Sequence, residues 1–531
     1  MGRYAVRYVK ALQMQDDPQL TAVFRDFSGG VNTRMHPNKI SSNQLETCTN
    51  WDLGTPAQLN KMYGSVMISD DMGAKSVIGV FDYIRQGYTD QLMMYEDNNL
   101  NASESEGAHT EVKGDFTASQ TEVGFVLAKE SGLTPDDVVF FNAGANWWRI
   151  HKSSAGAWAT QDLGATTGAT CSPPSSKVGT WYANRFWVLK DDLLYFSDAY
   201  DTDYSTSFDT GSNVYRIPVG SEMGILATRN KGMIIMGEQA IWNLFPSATP
   251  AATDRPEPVV TSHGVVGKKA WTVAGDKIFY FAQDGFRELL RTATDDLQTG
   301  ASYPVSYLLK TQFEDIAWAY ASRIVLHHFD DRVYITVPTG AATFKTWIYY
   351  PASNSFAIKD GWSPRDMANH KISGDLRMYY GVHGDGKCYR GWYGYTDEGT
   401  TTTDGTAQST VFESREEDFQ QPLIQKVGGE VEIEAFSTGG DYSLTISAAI
   451  DGGAYSTLGT MTLATDSAPT LPVDLPFALT DSYVVRDKLH LDSLGPFRTL
   501  QIKIEGSNSN DEDIKLYGIN LVTFREDYDN E

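Results

Sequence analysis

The sequence predicts an all-β chain in which a short N-terminal arm leads into a β-propeller of about seven blades, followed by a β-sandwich-like domain. Three observations predict it. Composition is the first: 28 Tyr, 24 Phe and 12 Trp make the chain 12% aromatic, and 47 Gly punctuate its 531 residues. Such a chain suits many short strands joined by tight turns and suits a helical bundle poorly. The second is an internal repeat. A polar turn residue followed by four or five strand formers recurs at Asp90, Asp137, Asn184, Asn230, Asp276, Asp331 and Asp375, at intervals of 47, 47, 46, 46, 55 and 44 residues. The third is a change of hydrophobic period. Strands within the repeat are apolar on both faces, and those after it alternate.

Taken in order, residues 1–70 form the arm. Asp26-Phe27-Ser28-Gly29-Gly30 reads as an extended segment ending in a glycine pair. A short helix is predicted over 41–50, capped by Ser41 or Ser42 and opened by Gln44 or Leu45. A strand follows at Ser65 to Ile68. Residues 71–397 carry the repeat. Each unit holds a hairpin with suitable turn residues, such as Asp284-Gly285, Asp385-Gly386, Lys190-Asp191-Asp192 and Met236-Gly237-Glu238. Strands such as Met233-Ile234-Ile235-Met236 are apolar on both faces, as expected of a sheet sandwiched between two neighbours. A period of about 40–50 residues with four strands per unit is the size of a propeller blade. Seven blades is the reading, with six and eight open. The 55-residue interval is read as a blade with a longer loop, the insertion falling at Thr339 to Thr346. Residues 398–408 are a Thr/Gly linker. Residues 409–531 alternate cleanly, as in Glu430-Val431-Glu432-Ile433-Glu434-Ala435-Phe436 and Thr499-Leu500-Gln501-Ile502-Lys503-Ile504-Glu505, with Asp451-Gly452-Gly453 as a hairpin turn. Strands with one wet face build a half-exposed antiparallel sheet, hence a small sandwich or jelly roll.

The net charge of −25 argues against a surface that grips phosphates, which needs clustered Lys and Arg. Only isolated basic pairs occur, such as Lys268-Lys269. The acidity is uneven: residues 412–531 hold 22 Asp and Glu against 8 Lys and Arg, a net of −14. Cys48, Cys171 and Cys388 are odd in number and far apart, which is neither a disulfide framework nor a zinc pattern. A reducing compartment during folding is the simplest inference. No apolar run reaches membrane-spanning length, and Met1 to Lys10 has basic residues without an apolar signal core after them. Synthesis in a cytosol without export by a standard signal peptide is expected.

No constellation reads as chemistry. His327-His328 are adjacent in a strand, so they point to opposite faces and cannot share a metal. Gly381 to Lys387 is glycine-rich, but no helix follows to hold a phosphate, and a hairpin turn fits better. The carboxylates at Asp198, Asp201 and Asp203 lack the glycine and distal glutamate of a calcium loop. No serine elbow or Cys–His arrangement appears. Neither catalytic residues nor a cofactor or metal is therefore expected, and the chain is expected not to be an enzyme.

Three stretches resemble the tail nozzle (tail tubular B) family of short-tailed double-stranded DNA bacteriophages. The first is Asp26-Phe27-Ser28-Gly29-Gly30-Val31-Asn32-Thr33, followed by Pro37, Ile40, Gln44 and Asn50. The second runs through Asn184-Arg185-Phe186-Trp187-Val188, Tyr195 to Ala199, Ile225-Leu226-Ala227 and Gln239 to Trp242, with Gly264 to Gly267 and Phe281 to Gly285. The third is Asp451-Gly452-Gly453 with Leu458-Gly459 and Leu516 to Ile519. The resemblance implies a structural virion protein, made in the host cytoplasm and placed in the tail as a ring of six copies. Its partners would be portal, adaptor and tail fibre proteins. Double-stranded DNA would pass through the ring during ejection without specific binding, and no membrane insertion is implied. No long insertion that would form an extended distal tip is seen. Under that reading an acidic lining would keep the duplex from sticking, and Glu430, Glu432 and Glu434, which alternation puts on one face, are the candidate lumen residues. The alternatives are a carbohydrate-binding, receptor-binding or depolymerase-type propeller of a phage tail, or a head–tail connector. In the first, Trp147, Trp148, Trp181 and Trp392 would stack on sugars. Most of those aromatics sit where blades bury them, so core is their expected fate.

Overall fold

The computed structural model describes residues 19–525, apart from 69–71, 73–74, 117–119, 165–171, 200–206, 209–212, 229–231, 248–249, 251–253, 292–296, 300–302, 398–404, 438–441, 464–483 and 509–512. The described chain is almost entirely strand, and its one α-helix is Lys310–Glu314. No helix among these residues is long and apolar enough to cross a membrane.

Seven four-stranded antiparallel blades succeed one another along the chain, and each of the seven repeats opens the second strand of one blade. The first strands are Val77–Tyr83, Gly124–Lys129, Val178–Tyr182, Glu222–Ala227, Trp271–Ala274, Val325–Phe329 and Pro364–Ile372. Most of these contact the first strand of the next blade, and the last returns to the first, closing a ring with these strands innermost. Second strands such as Gln91–Glu96, Asp137–Asn142 and Met233–Gly237 are buried on both faces, because each is covered by a blade on either side. Close approach of the inner strands is built in. A Cβ at Gly124 would lie 2.3 Å from the Lys177 carbonyl of the next blade, so only glycine fits there.

The seventh blade is completed from the other end of the sequence. Its outer strand is Ser65–Met67, which pairs with Cys388–Gly391. The strand expected at Ser65 thus belongs to the propeller and fastens the ring shut.

After the ring comes a sandwich of two antiparallel sheets. One carries Val484–His490, Lys426–Ser437 and Ile514–Arg525; the other carries Ser456–Leu463, Tyr442–Ile450, Leu500–Asn508 and Thr406–Glu413. The alternation expected from the sequence is kept: Val431, Ile433 and Ala435 are buried and the glutamates between them are not. The arm is woven into both sheets. Gln19–Phe24 pairs with Ile514–Arg525, and Thr47–Thr49 lies between Thr406–Glu413 and the outer strand of blade 6.

Three local expectations are corrected. The helix over 41–50 does not form; a 3-10 turn at Pro37–Lys39 leads into strands Gln44–Leu45 and Thr47–Thr49. Pairing of Cys48 with Phe412 and Thr47 with Glu413 outweighs a weak local helix signal. The extra length in the 55-residue interval is not at Thr339 to Thr346, which is a compact hairpin loop and the start of a strand. It lies between blades 5 and 6, in helical turns from Val305 to Arg323. Thr406, Ala407 and Gln408, expected in the linker, begin a sandwich strand, and Gln408 is buried.

Candidate functional site

All inner strands of a propeller run the same way, so residues at their starts converge on one mouth of the central axis. Here the starts are charged. Glu122, Lys177, Glu222, Lys268, Lys269, Arg323, Arg365 and Asp366 each stand just before an inner strand or within its opening residues. Behind this mouth lies an axial cavity of about 370 Å³, with walls from all seven blades that include Phe81, Phe125, Lys177, Trp271, His327 and Asp366. Phe81 and Phe125 stack with ring centroids 5.0 Å apart. A recess of about 20 Å³ adjoins it, lined by Glu122, Lys268, Lys269, Arg323 and Arg365.

The cations are unequally matched. Lys269 Nζ lies 2.6 Å from Asp366 Oδ2 and donates to the Ile78 carbonyl. Asp366 also accepts from the Val80 amide. Lys268 Nζ lies 3.0 Å from Glu122 and 3.8 Å from Glu222. Lys177 donates to neutral oxygens, Asn142 Oδ1 and the Gly144 carbonyl. Burial, with Lys268 nearby, pulls its pKa down to about 8. Arg365 is 8% exposed, its Nη2 donates to the Thr121 carbonyl, and its buried Nε has no partner among the described residues. Burial and then repulsion from Arg323 bring its pKa down to about 10. The same two arginines, after burial, hold the His383 imidazole below its ordinary value. Among the described residues, the mouth thus assembles five cations against three carboxylates in a strongly acidic chain. Chemically it can hold an anion.

The residues singled out from sequence lie elsewhere. Glu430, Glu432 and Glu434 share one face of the sandwich, and each faces a cation across the sheet or beside it. Glu430 lies 3.2 Å from Lys488 and 3.9 Å from His490, Glu434 lies 3.0 Å from Arg486, and Glu432 stands opposite Lys488 and accepts from Asn520. Trp147 is fully buried edge-on to Phe186. Trp148 carries Lys113 over its ring, Trp181 leans on Phe140, and Trp392 packs on Tyr63 and Arg332. They are packing residues. His327 turns inward and donates to Asn369 Oδ1, with burial lowering its pKa, while His328 points to the other face. Gly381 to Lys387 is a hairpin. Burial raises the thiol pKa of both Cys48 and Cys388. Asp201, Asp203 and Cys171 lie outside the described residues. Among the described residues no group of three metal-ligating side chains comes together.

The mouth is hard to find in the sequence because its parts come from different blades. A signal is present all the same: charge recurs at the start of inner strands, where an outward-facing loop would give no such regularity.

No protein-family model matches this chain, and no curated protein does. Among solved structures it is similar to an exo-β-1,3-galactanase from Phanerochaete chrysosporium with galactose, at 10% identity and a TM-score of 0.25. That match covers 77% of this chain and 97% of the other. A single-substitution variant of that enzyme with β-1,3-galactotriose matches at 9% identity, with the same score and coverage. The expectation that the chain is not an enzyme is corrected on this finding, since the matched structures are of a galactan-cleaving enzyme. At this identity and score the likeness assigns no substrate and no catalytic residue.

Proposed function

We propose that this chain is a ring-forming component of the tail of a double-stranded DNA phage, of the nozzle type. One observation carries the reading: the residues of the leader resemblance form the seam of the whole molecule. Phe27 is buried edge-on to Phe412. Gly30 sits at φ +62°, and a Cβ there would come 2.6 Å from the Phe356 carbonyl of blade 6. The Asn32 side chain donates to Gln44, the Thr33 amide donates to the Leu308 carbonyl, and the Asn50 side chain donates to the Ser409 carbonyl. A motif whose members tie arm, propeller and sandwich together has a structural reason for its residue types, which a chance match would not have. Side chains from all seven blades line the propeller axis and leave a pocket of about 370 Å³, too small to pass a duplex, so a DNA path belongs between copies of the chain. Cryo-EM of purified particles tests this: a ring of copies below the portal is expected, and a single copy per tail rejects it.

The charged axial mouth favours a second reading, a glycan-recognising propeller of a phage tail. Its site would be the cavity behind Lys177 and Arg365. A host polysaccharide that neither binds the purified chain nor releases reducing sugar with it would count against this reading.

A further inference from the structure

We infer that the axial mouth binds the carboxylate of a hexuronate sugar, with the sugar ring in the cavity behind it. This rests on the second reading above and names its ligand class.

Four observations point there. Arg365 is nine-tenths buried at the recess with its Nε unpartnered among the described residues, and native proteins rarely leave such a donor unmet. Its charged neighbours are a second arginine, Arg323, and the carboxylates of Glu122 and Asp366; those carboxylates pair with Lys268 and Lys269, and among the described residues none lies within ion-pair distance of either guanidinium. Arg323 Nη1 donates to the Ala341 carbonyl, which leaves the rest of its planar guanidinium beside the unpartnered Arg365 Nε, and such a pair matches a carboxylate in charge and geometry. The recess of about 20 Å³ admits about one water-sized group, which suits a carboxylate tip. The adjoining cavity of about 370 Å³ is at the small end of ligand pockets, roughly 300 Å³ and upward, and suits one sugar ring.

The walls agree with a ring. Phe81, Phe125 and Trp271 give apolar faces, against which the C–H face of a pyranose packs. Lys177, whose ammonium donates to neutral oxygens, can turn to a second oxygen of the ligand. Glu122 and Glu222 would repel an anion if free, but both lie within ion-pair distance of Lys268. Asp366 is likewise held by Lys269 and the Val80 amide. The cations left over among the described residues are therefore Arg323, Arg365 and Lys177, on three different blades around one opening.

The test is calorimetric titration of the full chain with the methyl glycosides of glucuronate and galacturonate. Methyl glucoside, sodium acetate and inorganic phosphate are the comparisons. At least one uronide is expected to bind, with the neutral glycoside, acetate and phosphate each weaker by about tenfold or more, the scale of a lost charge-assisted bond. Arg365→Met and Arg323→Met should each weaken the uronide by about the same factor. Arg323 is less buried than Arg365, so its variant serves should Arg365→Met fail to fold. Equal binding of the neutral glycoside overturns the inference and leaves the glycan reading standing. Equal binding of acetate or phosphate reduces the mouth to an anion site and overturns the sugar. A folded Arg323→Met with unchanged uronide affinity also ends the inference alone, whereas no binding of any probe ends both.

Discussion

At the seam between propeller and sandwich, Lys359 is fully buried, and its Nζ lies 2.9 and 2.8 Å from the two carboxylate oxygens of Asp397. Trp362 Nε1 donates to the same carboxylate. A second knot joins Asp52 of the arm to Arg332 and Tyr350 of blade 6. At the axial mouth Arg365 is almost as buried, and its Nε meets nothing among the described residues. Both regions take charge out of water, which costs free energy unless good pairing geometry offsets it. The seam supplies that pairing internally and so specifies how two domains dock. The mouth leaves cations short of partners, which is the arrangement of a site awaiting a ligand.

The comparison breaks if the two regions respond alike to the same kind of substitution. Asp397→Asn should be the largest effect, a loss of about 3–5 kcal/mol, because it strands a buried ammonium. Arg365→Met should by contrast leave the denaturation midpoint unchanged or raise it, since it removes a charge that lacks a partner. Urea titration of both variants decides. A large loss from Arg365→Met with none from Asp397→Asn would reverse the roles given to the two regions.

Gly30→Ala comes next. Its φ of +62° and the Phe356 carbonyl at 2.6 Å from a built Cβ put the cost at about 1–3 kcal/mol, the range for local backbone strain. The same change at Gly374, which has φ +99° and nothing near its Cβ, should cost less. Equal losses at the two glycines would mean that the close approach at the seam contributes nothing.

What is legible in the sequence follows the range of the interactions. Period and burial on both faces are local properties, so seven anchors from Asp90 to Asp375 locate seven blades. The strand at Ser65 is legible, but its partner strand Cys388–Gly391 is not, since pairing across more than three hundred residues leaves no local trace. Residues 41–50 mislead for the same reason: Thr47 and Cys48 are strand because Phe412 and Glu413 lie beside them. The mouth is invisible in one dimension, where Lys268-Lys269 looks like an isolated pair. Only ring closure brings them near Lys177, Arg323 and Arg365.

A smaller effect sharpens the picture of the mouth by pH. Lys177 keeps a proton up to about pH 8 in the folded chain and up to about 10.5 when unfolded. Between those values the unfolded state binds more protons, so this group makes stability rise with pH across that window and adds no pH dependence below it. The wild-type minus Lys177→Met difference in midpoint should therefore climb from about pH 8 to about pH 10. A flat difference would show that the ammonium is solvated and not held in the cavity. Over the same window uronide affinity should fall as the ammonium is lost.

The smallest expected effect concerns the acidic stripe of the sandwich. Glu430, Glu432 and Glu434 face Lys488, Arg486 and His490, so the stripe is a ladder of exposed pairs whose contribution to stability is slight. Changing all three to Gln should leave the melting temperature unmoved. It would, however, leave the three basic side chains unmatched and turn a nearly neutral face positive. If that face lines the passage between copies of a tail ring, the duplex gains cationic contacts that release counterions. Ejection from particles carrying the triple variant is then expected to slow at low salt and to recover as salt rises and screening shortens its range. Ejection with the same rate and salt dependence as wild type would place the stripe on the outer wall. The acid excess of residues 412–531 would then serve solubility alone.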